Sequence, residues 1–367
     1  MRYILMSLLL VSALWGLTPF KDFMPEPQIT AEPLQYVCYR TLGPITIDGT
    51  AAEASWQKAS WTETFVDIEG DAEPKPDWKT RVKMMWDDDN VYFFAQLEEP
   101  HVWATITQRD AVIFHDNDFE IFIDPDGDNH RYYEFEINAL NTVRDLLLTQ
   151  PYRDGGSALD NWDIKGMKTA VHIDGTINNA RDIDGGWSVE VAMPWKALAE
   201  CAPQSPPKPG QQWRVNFSRV QWNTAKIGKS YQKKHNPEHN WVWSPQGLIN
   251  MHYPEMWGIV QFSDASVDNQ VTLFFKDFKD AAKSMMQQIY YRERTYFMIH
   301  GKFTDSLEKL KLTLDVPREF ETPQIFVTPH GFDAFTISND GYYKVLINEE
   351  GRNQVLWMRN QKRQRSN

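Results

Sequence analysis

The chain has 367 residues, more than the about 100–200 residues of an ordinary single domain, and we expect at least two structural units. Acidic residues number 50 against 38 lysines and arginines, and the resulting net charge of −12 argues against a general binder of nucleic acid. A hydrophobic fraction of 42% excludes a disordered chain. Aromatic residues make up 13%, more than a core of this size needs, so we expect some rings to face a ligand.

The N-terminus has the parts of a secretory signal peptide. Arg2 precedes an apolar run over residues 4–17 that is too short for an ordinary membrane span. We therefore predict a signal peptide over residues 1–17, a secreted or periplasmic protein, and no membrane span once the signal is removed. A buried N-terminal helix and an uncleaved anchor are the alternatives.

Cys38 and Cys201 are the only cysteines of the chain. In an oxidising compartment they could form a disulfide, and the alternative is two separate buried thiols. The sequence has no Cys-x-x-Cys pair and indicates neither a zinc site nor a redox site.

Residues 34–263 predict an antiparallel β-sandwich. Short runs alternate between apolar and polar residues and are separated by Gly, Asp, Asn and Pro, which is typical of strands with one buried and one wet face. A cluster of three aspartates between Trp86 and Asn90 has the chemistry of a hairpin turn. The predicted strands include residues 81–86, 91–97, 119–123, 133–138, 186–192 and 212–218.

Residues 264–357 predict a small α+β region after the sandwich. Apolar residues at helical spacing over 276–292, and again over 296–310, predict two helices or one kinked helix. Strands are predicted at 324–328, 334–337 and 342–347, and residues 358–367 form a basic tail that we expect to be frayed.

Four ordered motifs resemble those of the family 9 carbohydrate-binding modules. They are Ile47-Asp48-Gly49 with Glu53 and Trp56, Val82-Lys83-Met84-Met85-Trp86-Asp87-Asp88 with Val91-Tyr92-Phe93, Asp116-Asn117-Asp118-Phe119-Glu120-Ile121-Phe122-Ile123-Asp124, and Gly186-Trp187-Ser188-Val189-Glu190-Val191-Ala192-Met193-Pro194-Trp195. The resemblance implies an immunoglobulin-like sandwich that binds xylan, cellulose or a related glycan between two aromatic rings. It is strongest to the secreted stand-alone proteins of bacteria that carry an added C-terminal region.

The resemblance also suggests which residues contact the sugar. The first ring of the clamp corresponds to Phe114, and the glutamate of the family corresponds to Glu120. The arginine on the next strand corresponds to Glu136, and the second clamp tryptophan falls near Met251 or His252, so both positions depart from the family pattern. Another ring could come from one of three nearby tryptophans: Trp241, Trp243 and Trp257.

The candidate ligand-binding residues combine flat rings with polar groups that can satisfy sugar hydroxyls. The ring candidates are Trp103, Phe114, Trp241 and Trp243. The polar candidates are His101, His115, Glu120, Glu134, Glu136, Asn138, His252 and Glu255. Each has an alternative interpretation, since a tryptophan can belong to the core and the polar face of a strand can simply face solvent.

Asp124, Asp126 and Asp128 place carboxylates at alternate positions, as calcium loops do, and the resemblance implies structural calcium. The alternative is a plain Asp/Gly turn. No cofactor is expected to be required.

Two other functions stay open at this point. The many acidic residues could include the carboxylate pair of a glycoside hydrolase. Met251, His252 and Met256 could act in a haem-binding electron-transfer sandwich, although no Cys-x-x-Cys-His attachment motif is present.

Overall fold

The computed structural model describes residues 25–358. The predicted signal peptide at 1–17 and all of the predicted tail except its first residue lie outside the described residues. Within 25–358, no helix combines the length and the apolarity that crossing a bilayer requires.

Strands dominate the first part of the chain, as the alternating pattern predicts. In chain order they are β1 (Gln35–Arg40), β2 (Val66–Asp67), β3 (Thr80–Trp86), β4 (Asn90–Leu97), β5 (Asp118–Asp124), β6 (Tyr132–Asn138), β7 (Val143–Leu148), β8 (Ala158–Leu159), β9 (Lys168–Asp174), β10 (Gly186–Pro194), β11 (Gln212–Gln221), β12 (Thr224–Ile227), β13 (Ser230–Lys233), β14 (His239–Val242) and β15 (Gly258–Ser266). Two short helices interrupt them, α1 (Ala54–Lys58) and α2 (Trp195–Leu198).

The two layers of the sandwich belong to one hydrogen-bonded system. The strand order is β8-β7-β6-β5-β11-β15-β1-β3-β4-β10-β9, and β14 also pairs with β11 and β2. Strand β1 lies between β15 and β3 and runs parallel to both, whereas the other pairings of this system are antiparallel. The predicted antiparallel sandwich is therefore confirmed apart from β1, which runs parallel to its neighbours. Apolar and polar residues alternate in the same way in parallel and antiparallel strands, so the sequence pattern could not predict the direction of β1.

The core lies between the two layers. Alternate residues of β5 and β6 point into it, and they meet residues of β3, β4 and β10 from the other layer. The tryptophans of the fold motifs, Trp56, Trp86, Trp187 and Trp195, are buried as expected. The aspartate cluster forms the predicted β3–β4 hairpin turn, where Asp87 accepts hydrogen bonds from the amides of Asp89 and Asn90.

The two cysteines are separate thiols. Cys38 and Cys201 are both free and both buried. Burial raises the pKa of each thiol, so the reactive thiolate form is suppressed. The sequence leaves a disulfide and two separate thiols open, and the structure has two separate thiols.

A helix and a four-stranded sheet form the C-terminal region. The helix is α3 (Phe278–His300), and the antiparallel strands are β16 (Gln324–Val327), β17 (Phe332–Ile337), β18 (Tyr343–Asn348) and β19 (Asn353–Trp357). Apolar residues of α3 such as Met286 and Ile289 pack on the sheet and on Tyr253 and Met256 of the sandwich. The C-terminal region and the sandwich therefore share this second core.

The C-terminal region differs from the prediction in two respects. In place of two helices or one kinked helix, α3 is a single helix that ends at His300 and is followed by Gly301 in the left-handed conformation with φ 67°. Residues 302–310 contain no helix. The apolar residues of that segment, including Phe303 and Leu310, pack into the core without helical structure. Strand β19 was not predicted.

Candidate functional site

One row of side chains crosses four strands on the outer face of the sandwich. Ser218 of β11 lies opposite Glu120 of β5, Glu120 opposite Glu136 of β6, and Glu136 opposite Arg144 of β7. Their neighbours along the strands, such as Phe119 and Phe135, point into the core. Because alternate residues of a strand occupy opposite faces, the row lies on the other side of the sheet.

Four acidic side chains gather around this row, and we call Asp118, Glu120, Glu134 and Glu136 the carboxylate cluster. All four are buried, none being more than 7% exposed. Carboxylate oxygens of Asp118, Glu120 and Glu136 lie within 4.8 Å of one another. The polar face that the sequence predicts is thus a buried acidic site and not a solvated surface.

A single guanidinium faces this acidic group directly. Arg144 donates from Nη1 to Glu136 Oε1 at 2.8 Å and from Nη2 to the exposed Asp160 at 2.8 Å. It brings a positive charge from the neighbouring strand β7 to the carboxylate of Glu136. Arg144 and Glu136 form a charge-assisted hydrogen bond, which is among the stronger hydrogen bonds in proteins.

Burial and mutual repulsion favour the protonated forms of these acids. Burial, followed by the charge of Glu136, raises the pKa of Glu120 to about 8. Burial and the neighbouring carboxylates also raise the pKa values of Asp118 and Glu134. Burial raises the pKa of Glu136 as well, although Arg144 opposes the shift. The cluster is therefore costly to ionise in full without a further positive partner.

The turn that carries Phe114 lies at one side of the cluster. Phe114 belongs to a short 3-10 turn, Ile113–His115, in which the amide of Ile113 donates to Glu136 Oε2 at 3.1 Å. The Phe114 side chain is half-buried and packs edge-on against His115 at 4.9 Å between ring centroids. The hydrogen bond joins the turn that carries this partly open ring to the acidic group.

A second ring, that of Tyr152, approaches from the segment after β7. Tyr152 is 45% exposed, and its ring lies 4.6 Å from that of His252. Partial burial, followed by the nearby charge of Glu134, raises the pKa of the Tyr152 phenol to about 12. Burial, with Arg153 and Arg144 next, lowers the pKa of His252 to about 3, so the imidazole is neutral. Its Nδ1 is paired with the Tyr132 hydroxyl at 2.9 Å.

The C-terminal helix fixes the segment that carries Tyr152. Asp154 accepts hydrogen bonds from Arg294 of α3, at 2.5 Å, and from the hydroxyl of Tyr290. Arg294 also donates to the carbonyl of Arg153 at 2.9 Å, and Arg153 pairs with Glu255 at 2.8 Å. Since these charged groups are buried together, the network holds the backbone that directly follows Tyr152.

Three of the predicted ring candidates are in the protein interior. Trp243 is fully buried, tilted against Phe217 at 5.7 Å, and its indole donates to Glu63 at 2.9 Å. Trp241 is 3% exposed and packs edge-on against Trp78. Trp103 is 6% exposed in a separate small cluster with Ala180 and Tyr231. The faces of these rings are therefore not open to a sugar, and the alternative interpretation as core residues applies.

Several polar candidates have structural partners away from the cluster. Asn138 donates to Ile106 and Asp116 and accepts from the amides of Leu140 and Thr142, so its amide group is fully used. The histidines lie elsewhere: His101 Nδ1 is paired with the Tyr231 hydroxyl, and His115 is exposed. Glu255 belongs to the contact with α3. Of the predicted site residues, the structure brings together Glu120, Glu134 and Glu136. Asn138 lies opposite Asp118, the turn that carries Phe114 is joined to Glu136, and His252 contacts Tyr132 and Tyr152.

The loop from Asp124 to Asp128 is a turn that cationic side chains hold in place. Its three carboxylates offer oxygens within 4.8 Å of one another. Both oxygens of Asp124, however, accept backbone amides, from Gly127 and Asn129 at 2.9 Å. Arg352 donates to Asp128 at 2.8 Å, and the Lys283 ammonium contacts the carbonyl of Gly127. These residues fit the calcium that the family resemblance implies poorly, because the positive charge is already supplied by the protein.

Three site residues were missed at the sequence level, and two carried a usable signal. Asp118 alternates with Glu120 on β5, and Arg144 is one of two adjacent charged residues, with Asp145, in the otherwise apolar β7. Tyr152 lies in a loop without periodicity, so no pattern could have identified it.

Comparison with known proteins places this geometry in context. The family model described as carbohydrate family 9 binding domain-like matches residues 47–261. No curated protein matches the chain.

Among solved structures, the chain is similar to a candidate carbohydrate-binding protein from Bacteroides uniformis, with 17% identity and a TM-score of 0.49 over 63% of this chain and 100% of that chain. It is also similar to a family 9 carbohydrate-binding module from Caldicellulosiruptor kristjanssonii in complex with cellotriose, with 16% identity and a TM-score of 0.42 over 66% of this chain and 100% of that chain. The glucose complex of a family 9 module from the same organism gives 17% identity and a TM-score of 0.40 over 64% and 100%.

Proposed function

Because this chain belongs to the carbohydrate family 9 binding domain-like family, we propose that it is an exported, non-catalytic protein that binds a plant-type glycan such as xylan or cellulose. The sugar lies on the outer face of β5, β6 and β7. The observation that supports this placement is an acidic cluster with its own guanidinium, beside the turn that carries the half-buried Phe114 and near the exposed ring of Tyr152.

The chemistry of a pyranose fits this arrangement. One face of the sugar ring is apolar and can stack on Phe114 or Tyr152, and burial of about 100 Å² at about 25 cal/mol/Å² contributes about 2.5 kcal/mol before ordering costs. The hydroxyls at the rim can donate to the carboxylates and accept from Arg144. Two stacks and a few hydrogen bonds give modest affinity, so specificity depends on the polar groups, since a buried group left unpaired costs about 1–3 kcal/mol.

The same geometry favours binding over hydrolysis. Glycoside hydrolases place the scissile bond between two carboxyl groups about 5–9 Å apart. Here the oxygens of Glu120 and Glu136 approach within 4.8 Å, and Glu136 is held by Arg144 and the amide of Ile113. With both of its oxygens engaged, Glu136 is poorly placed to act as a nucleophile or base. A raised pKa such as that of Glu120 is also found in catalytic acids. The hydrolase alternative therefore needs its own test.

The placement of the site is tested with matched tyrosines. Tyr152→Ala is expected to weaken binding of xylo- or cello-oligosaccharides by about tenfold or more in calorimetry, as loss of one stack of about 2 kcal/mol predicts. Tyr342 of the C-terminal region is 41% exposed, similar to Tyr152, and Tyr342→Ala serves as the control with unchanged affinity. Equal affinities in the wild type and both variants would place the sugar elsewhere.

The hydrolase alternative requires a second measurement on the same samples. Incubation of the wild type with xylan and cellulose fragments is expected to release no new reducing ends. Turnover that disappears in Glu120→Gln would show an enzyme and contradict the proposal. A glycan array then identifies the sugar class.

Export is part of the proposal and rests on the sequence of residues 1–17. N-terminal sequencing of the protein recovered from a cell fraction tests it. A mature N-terminus shortly after residue 17 in the extracellular or periplasmic fraction is expected, and an intact Met1 in the cytosolic fraction would contradict export.

A further inference from the structure

The charges of the carboxylate cluster do not balance within the protein. Four buried acids face the single guanidinium of Arg144, which is shared with Asp160. A buried carboxylate without a partner either keeps its proton or needs a cation from outside. The cluster therefore has the electrostatic property of a cation site in addition to that of a sugar site.

Two oxygens of the cluster have unused acceptor capacity. Within residues 25–358, Asp118 Oδ2 and Glu134 Oε2 are buried and accept no hydrogen bond. Asp118 is fully buried, and its other oxygen, Oδ1, accepts from the amide of Val220 at 3.2 Å. Buried polar atoms nearly always have a partner in native proteins, so the free oxygen of Asp118, which lies within the group of Asp118, Glu120 and Glu136, points to a ligand.

We propose that the carboxylate cluster binds one hard divalent cation, with Asp118, Glu120 and Glu136 as ligands. Oxygens that share a calcium ion lie about 2.3–2.6 Å from it and hence no more than about 5 Å from one another. The observed limit of 4.8 Å meets this condition. A ligand set made only of oxygens selects calcium, magnesium or manganese over zinc or copper. Water completes the coordination.

The other two acidic groups of the described chain lack these features. In the Asp124–Asp128 loop, both oxygens of Asp124 accept backbone amides and Asp128 accepts from Arg352, and among the described residues no carboxylate oxygen of this loop is buried without a partner. In the group of Asp110, Asp145 and Asp163, Arg109 pairs with all three and the first and last are exposed. These two groups supply matched controls.

The site is tested with the full mature chain after treatment with a chelator. Calorimetry with calcium alone is expected to give one ion bound per chain, and calcium is expected to raise the melting temperature. Asp118→Asn keeps the acceptor for Val220 but removes the charge, and it should weaken calcium binding by more than the about tenfold that loss of a supporting group costs. Glu120→Gln should weaken calcium binding in the same way. This second variant keeps the test valid if one of the two does not fold.

The controls are Asp126→Asn in the turn and Asp163→Asn in the Arg109 group. Both are expected to bind calcium as the wild type does. The proposal is overturned if the wild type binds none of calcium, magnesium and manganese. It is also overturned if Asp118→Asn and Glu120→Gln both bind calcium as the wild type does. Loss of calcium binding in Asp126→Asn or in Asp163→Asn would likewise contradict it. Because the measurement contains no sugar, it stands or fails independently of the proposed glycan site.

Discussion

Replacing Glu120 with glutamine should change how the stability of the metal-free protein depends on pH. The carboxyl of Glu120 has a pKa of about 8 in the folded protein against 4.5 for an unperturbed glutamate. Between these values the folded state holds a proton that the unfolded state has released. The free energy of unfolding of the wild type therefore falls as the pH rises from about 4.5 to 8.

The size of the effect follows from the shift. At about 1.36 kcal/mol per pKa unit, the rise from 4.5 to about 8 corresponds to about 5 kcal/mol of stability lost above pH 8. Glu120→Gln has similar shape and no titrating group. We expect it to match the wild type near pH 5 and to be more stable by up to this amount near pH 8.5.

Urea denaturation in the presence of a chelator measures the free energy of unfolding of each protein near pH 5 and near pH 8.5. The exposed Glu319→Gln is the matched control, because it makes the same chemical change outside any buried cluster. If wild type and Glu120→Gln lose stability equally between these two pH values, the electrostatic account of the cluster is refuted. Bound calcium should remove the difference by stabilising the ionised carboxylates.

Three further predictions concern the core, the thiols and the contact with α3. Trp243→Ala should cost about 3–5 kcal/mol in denaturant unfolding, since the ring is fully buried, and a loss under 1 kcal/mol would contradict the core assignment. A thiol reagent should find two thiols in denatured, unreduced protein and almost none in the native state, whereas no thiols on denaturation would indicate a disulfide. Arg294→Gln should weaken glycan binding together with stability by freeing the segment of Tyr152, and an unchanged affinity would show that α3 does not position this ring.

The placement of Tyr152 shows how the added region contributes to the site. Its ring lies in a loop between β7 and β8, and the residues that follow it are held by α3. A β-sandwich presents ligand groups on loops that need support from a rigid element. The C-terminal region supplies that support here.

Periodicity in the sequence predicted the sandwich apart from the direction of β1, and it predicted a helix after Lys276 but not that α3 is a single helix that continues to His300. Alternation in β5 and β6 correctly placed Glu120, Glu134 and Glu136 on the face opposite Phe119 and Phe135, because side-chain direction in a strand depends only on parity. The spacing of apolar residues after Lys276 likewise predicted a helix, and its end is set locally by Gly301.

Only the tertiary structure decided which face of each strand is covered. The sequence pattern around Trp241 and Trp243 would be the same whether their rings faced the core or a ligand. In the structure, the opposite layer of the sandwich buries both rings. Pairing between β6 and β7 brings Arg144 to Glu136, and α3 fixes the segment of Tyr152. These contacts join residues distant in sequence, and a local pattern carries no information about which distant strand will lie alongside.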